Sequence, residues 1–93
     1  MLYTIIVSWD DQTIFSQIEA NDPVSAWKSW TIDAKKHISL KPYEYAELIE
    51  QADEDKYRPQ AVEHCDNVWF GVHYFEDDML VLHIIGTEPD EGN

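Results

Sequence analysis

Apolar and polar residues alternate with a period of two in blocks at both ends of this chain, and no other feature constrains its fold as much. In "YTIIVSW" Tyr3, Ile5, Val7 and Trp9 share one face of a strand, and in "TIFSQIEA" Ile14, Ser16, Ile18 and Ala20 share one face of the next. For the two faces to coincide, Trp9 is expected opposite Ile14 and Val7 opposite Ser16, which allows a two- or four-residue turn around Asp11 and Gln12. The closing block, "NVWFGVHYF" and "MLVLHIIGT", is interrupted only by Glu76, Asp77 and Asp78. An odd turn with Phe75 opposite Met79 puts Phe70, Val72, Tyr74, Leu80, Leu82 and Ile84 on one wholly apolar face. Its other face then carries Trp69, Gly71, His73, Phe75, Met79, Val81, His83 and Ile85, with both histidines on the same side as diagonal neighbours. That second face is too apolar to be left fully wet.

Between the blocks the period lengthens. Asp22 suits an N-cap and Pro23 the first helical position, after which Val24, Trp27, Trp30 or Thr31, Ala34 and Ile38 recur at three- and four-residue spacing. Lys35, Lys36 and His37 stand where a helix end favours cations. Pro42 opens a second helix, in which Tyr45, Leu48, Ile49 and Ala52 form an apolar stripe while Glu44, Glu47 and Glu50 form a solvent-facing one. "DEDKYRPQ" predicts a loop, and "AVEHCDN" fits either a short turn or an edge strand. The order ββααββ predicts an α+β fold: an antiparallel four-stranded sheet made of two hairpins, with two helices packed on one face. Residues 1–87 are expected to form a single domain and residues 88–93 an acidic tail.

Nineteen acids against six lysines and arginines give a net charge of −13. The imbalance is concentrated in the second part, where residues 42–93 set fourteen acids against Lys56 and Arg58. Such a field repels nucleic acid and anionic membrane and favours a basic protein partner. With 44% hydrophobic residues the chain nevertheless has enough apolar surface for a core. Cys65 is the only cysteine, so no intramolecular disulfide can form. The opening "MLYTIIVSW" lacks the pattern of a signal peptide, and no apolar run approaches the roughly 20 residues of a membrane helix. A cytoplasmic location is expected.

Few residues suggest chemistry. His73 and His83 with Asp77 or Asp78 have the right atoms for a metal, but the strand rise separates the acids from His83. His64, Cys65 and Asp66 are adjacent, which is not chelating spacing, and the glycines form no phosphate-binding loop. The expectation is therefore a protein without catalytic residues, metal or cofactor. Glu47, Glu50, Asp53, Glu54 and Asp55 form one candidate partner-binding patch, and Glu76, Asp77 and Asp78 a second. Trp69 is a candidate aromatic anchor, because aromatics ringed by polar groups dominate interface energetics.

The strand residues Thr13, Ser16 and Gln17, the pair Ala26 and Trp30, and the run Asn67, Val68 and Trp69 resemble corresponding motifs in a group of small bacterial proteins of mostly unassigned role. As a short, strongly acidic domain without a catalytic constellation, the chain also resembles the immunity proteins of bacterial contact-dependent growth inhibition and other polymorphic toxin systems. That resemblance implies a cognate toxin, often a basic nuclease domain, neutralised by stoichiometric binding. A second expectation is a structural or adaptor domain that forms a homodimer through the apolar outer face of the last hairpin. A third is a metal-dependent or hydrolytic enzyme using His73 and His83.

Overall fold

The computed structural model of the chain describes residues 1–87, and the acidic tail expected at 88–93 lies outside the described residues. β1 (Leu2–Trp9) and β2 (Gln12–Glu19) pair antiparallel, with Val7 opposite Ile14 and Ile5 opposite Ser16. The two inward faces coincide as the alternation requires, but the register is tighter than expected. Trp9 opposes Gln12 and the turn is Asp10 and Asp11 alone. Parity fixes which side faces inward and leaves loop length open. The shorter loop puts both residues in left-handed backbone, at φ 48° and 63°, as two-residue hairpin turns demand.

Asp22 and Pro23 start α1 (Pro23–Ile32) as anticipated, the Asp22 carboxylate accepting the Ser25 N–H at 2.7 Å. The helix ends earlier than its spacing suggests. At Asp33 the backbone tightens into three-residue hydrogen bonding, and a 3₁₀ turn at Ala34–Lys36 keeps Ala34 and then Ile38 in the core. In α2 (Pro42–Ala52) one member of the supposed solvent stripe is not solvated. Glu44 is buried, and its carboxylate accepts the Lys41 N–H at 2.8 Å, satisfying a donor at the helix start.

The sheet has five strands instead of the expected four. Their order is β2-β1-β5-β4-β3, with β3 (Gln60–Ala61), β4 (Val68–Tyr74) and β5 (Met79–Thr87). β3 covers part of β4 by pairing Gln60 with Phe70 and Ala61 with Trp69. Two residues are too few to show a period, so this strand left no trace in the alternation.

The closing hairpin departs most from expectation. Tyr74 opposes Met79 and His73 opposes Leu80, so the turn is even, with Phe75 donating its N–H to the Asp78 carbonyl at 2.8 Å. Trp69, Gly71, His73 and Phe75 therefore face the helices beside Leu80, Leu82 and Ile84, while Phe70, Val72 and Tyr74 face outward. His73 and His83 lie on opposite sides of the sheet. Gly71 helps to fix this register, because a Cβ there would stand 3.2 Å from the Leu82 side chain.

A histidine can occupy the core because the helices satisfy it. Trp27 donates its indole N–H to His73 Nε2 at 2.9 Å, so the proton resides on Nδ1, which donates to Gln51 Oε1 at 3.0 Å. Gln51 Nε2 in turn donates to the Tyr74 carbonyl at 2.8 Å. The same imidazole belongs to a series of five nearly parallel rings, His37–Trp30–Trp27–His73–Tyr57, in which Trp27 and His73 meet edge to edge through their hydrogen bond. Successive centroids are 5.0–5.4 Å apart and neighbouring planes differ by 11–25°. Trp30, one of these five rings, also donates its indole N–H to Ser16 Oγ on β2 at 3.2 Å.

Burial holds the His73 pKa down, from 6.5 to about 4. The unfolded chain takes up a proton at this position in the window between those two values, where the folded chain resists it. Stability is therefore fully retained above pH 6.5 and falls on acidification toward pH 4, by up to about 3 kcal/mol from this residue. Urea denaturation across that window is expected to show the decline, and His73→Gln, which keeps a neutral donor and acceptor, to remove most of its slope.

Candidate functional site

β1 and β5 run antiparallel with Ser8 opposite Val81, so the β1–β2 and β4–β5 turns leave the sheet at the same end. The start of α2 reaches the same place. Trp9, Asp10, Lys41, Glu44 and Asp78 line a cavity of about 350 Å³ between them. Its floor is held by Trp9, which donates its indole N–H to the Ser39 carbonyl at 3.0 Å and meets Phe75 edge-on at 5.3 Å. Around this rim Asp10, Asp11, Glu76, Asp77 and Asp78 are all exposed. Among the described residues none of these five carboxylates has an ion-pair partner.

The patch expected on and after α2 divides in three. Glu47, Glu50 and Glu54 line a shallow cavity of about 170 Å³ with Gln51 and Tyr57, although Glu54 also meets Lys56 at 3.7 Å. Asp53 turns toward α1 and pairs with Lys28 at 3.5 Å. Asp55 is exposed in the following turn. The α2 flank and the hairpin tip adjoin through Gln51, whose side chain is bonded to Tyr74 at the last position of β4. The acidic surface thus runs from the two turns along the outer flank of α2.

Trp69 does not join it. It lies six residues up β4 from Phe75, roughly 20 Å along the strand, half-buried on the helix side and edge-on to Tyr3 at 5.9 Å. The exposed aromatics on these elements are Tyr74, at 60%, just before the acidic β4–β5 turn, and Tyr43, at 43%, in the first turn of α2. Neither was singled out by the sequence. Tyr74 would have been found by the even hairpin turn, and Asp10 and Asp11 by the β1–β5 pairing that brings them to Asp78.

Because His73 is buried beneath the helices and His83 lies on the outer face, the two cannot ligate one ion. Among the described residues no group of three histidine, cysteine, aspartate or glutamate side chains is disposed to hold a metal, and no helix is long and apolar enough to cross a membrane.

Asp10 and Asp11 combine like charge with positive φ, both unfavourable to folding. Replacing them with Asn-Gly is expected to raise stability by about 1 kcal/mol and the Tm by about 4–8 °C, checked by thermal unfolding at low salt. A loss of stability would mean that the aspartates make contacts that outweigh their strain. No protein-family model matches the sequence, and no curated protein or solved structure matches it.

Proposed function

We propose that the chain is a cytoplasmic immunity protein, which binds a cognate bacterial toxin and neutralises it stoichiometrically without catalysing a reaction. The partner surface is basic, as on a nuclease domain that must hold a phosphate backbone. The observation that carries this reading is the set of five unpaired carboxylates from two separate hairpin turns, Asp10, Asp11, Glu76, Asp77 and Asp78, gathered at one end of the sheet. Mutual repulsion makes such a set unfavourable in the isolated molecule, and a cationic surface relieves it.

Long-range attraction raises the encounter rate, and lifetime then depends on packed contacts. Tyr43 and Tyr74 supply large, rigid contact area beside the charges. Glu47, Glu50 and Glu54 extend the negative surface along α2. Trp69 is left out of this interface by its position, and its ring contributes to packing against Tyr3.

The test is co-expression with the toxin domain encoded by the adjacent reading frame, followed by binding kinetics on the purified pair. Protection of the cells and a one-to-one complex are expected. Converting Asp10, Asp11, Glu76, Asp77 and Asp78 to their amides should slow association about 10- to 100-fold at low salt and change dissociation far less. Absence of protection and of any complex, or an association rate indifferent to these charges and to salt, would remove the basis of the proposal.

A further inference from the structure

The outer face of the sheet is nearly free of charge in a molecule of which 27% of the residues are charged. Of the outward-pointing residues on β1, β2, β4 and β5, only Glu19 is an acid or a strong base, and it sits at a corner beside the N-terminal ammonium, 3.4 Å away. Among the described residues no helix covers this side. Phe15, Ile6, His83 and Phe70 oppose one another in a single row across four strands. Phe15 is 68% exposed and Phe70 40%, and the Phe70 and His83 rings touch at 5.3 Å. The next row toward the acidic end runs from Val72 and Val81 into Ser8 and Thr13, and the row on the other side from Val68 and Ile85 into Thr4 and Gln17, so the apolar patch consists of the central row and the β4–β5 half of the face. The polar residues of this face, Thr4, Ser8, Thr13 and Gln17, lie on β1 and β2, whereas Phe70, Tyr74, Met79 and Ile85 on β4 and β5 are exposed, and a contiguous apolar patch of that kind marks an interaction surface.

We propose that this face is the interface between two copies of the chain, packed sheet to sheet about a two-fold axis running across the strands. Charge decides the occupant. A basic partner drawn to the acidic end brings ammonium and guanidinium groups, and an uncharged sheet returns nothing for the water they would lose. A second copy presents the same uncharged surface by symmetry. An axis along the row sets Phe15 against Phe15 and His83 against His83, and sends the two acidic ends in opposite directions, where their repulsion is least.

The area agrees with a weak dimer. Four strands about 4.8 Å apart and some seven residues long at about 3.3 Å each give on the order of 400 Å² of projected face per copy. Two such faces together amount to roughly 800 Å² before the relief of the protruding phenylalanines is counted, below the roughly 1,200 Å² at which stable interfaces begin, as suits a weak and concentration-dependent dimer. Since each copy carries a charge of −13, added salt screens their repulsion and tightens the dimer. A complex between the acidic end and a basic toxin responds to salt with the opposite sign, which separates this proposal from the immunity reading.

Sedimentation of the whole chain from micromolar to millimolar concentration tests it, at low salt and at about 0.5 M. Twice the chain mass at the upper concentrations is expected, with a dissociation constant that falls several-fold as salt is raised. Phe15→Lys and, separately, Val81→Lys should each weaken the dimer by at least about tenfold. Each lysine lowers the overall net negative charge, so a loss of dimer reflects the ammonium group buried at this face, set opposite its own copy in the case of Phe15→Lys, and not greater repulsion between the two molecules as wholes. Circular dichroism of each variant at low concentration confirms that the fold is kept. A mass of one chain throughout overturns the proposal. So does a dimer that survives both lysines, including one broken only by a proline in the edge strand β2, which would mean edge-to-edge pairing.

Discussion

One buried hydrogen bond organises the rest of the molecule: the Trp27 indole N–H donating to Nε2 of His73. It joins α1 to β4 across 46 positions of sequence and requires a neutral imidazole with its proton on the other nitrogen. Gln51 then receives that proton's bond and ties α2 to the same strand. Removing either partner would leave a buried donor or acceptor unsatisfied, at a cost of about 1–3 kcal/mol. Both helices are therefore positioned by one side chain, and the inward orientation of that side chain also decides which residues of the closing hairpin face water.

From this follows the distribution of polarity over the surface. With His73 inside, Tyr74 is turned out at the end of β4, and the even turn carries Glu76, Asp77 and Asp78 to the end of the sheet where Asp10 and Asp11 already stand. The same inversion places Phe70 and Val72 on the uncovered side. The uncharged face is thus a result of this register, whereas the charged end follows from the adjacency of β1 and β5; the charged end has field without much apolar area, the uncharged face apolar area without field.

Much of the architecture was legible in the residues. The period-two faces of β1 and β2 were, because one side is buried and a one-residue slip would expose it. So was the start of α1, where Asp22 and Pro23 act through local chemistry alone. The closing hairpin was not, because counting apolar residues rewards the face without a histidine, while the structure rewards the face whose histidine finds partners on two distant helices. Glu44 misled for a related reason: its spacing matched a solvent stripe, but its carboxylate is used by the helix start. At the acidic surface Glu76, Asp77 and Asp78 could be named but Asp10 and Asp11 could not, because their convergence depends on β1 lying beside β5, a contact between the two ends of the sequence.

The parallel indoles of Trp27 and Trp30, 5.0 Å apart and 11° from coplanar, have an optical consequence. Two chromophores held that close in a fixed, chiral arrangement couple their electronic transitions and produce dichroism in the near ultraviolet that depends on their mutual orientation. A compact state in which the helices persist but side chains move freely keeps its far-ultraviolet spectrum and loses this one. The core thus contains its own spectroscopic gauge of tight packing, readable without any label.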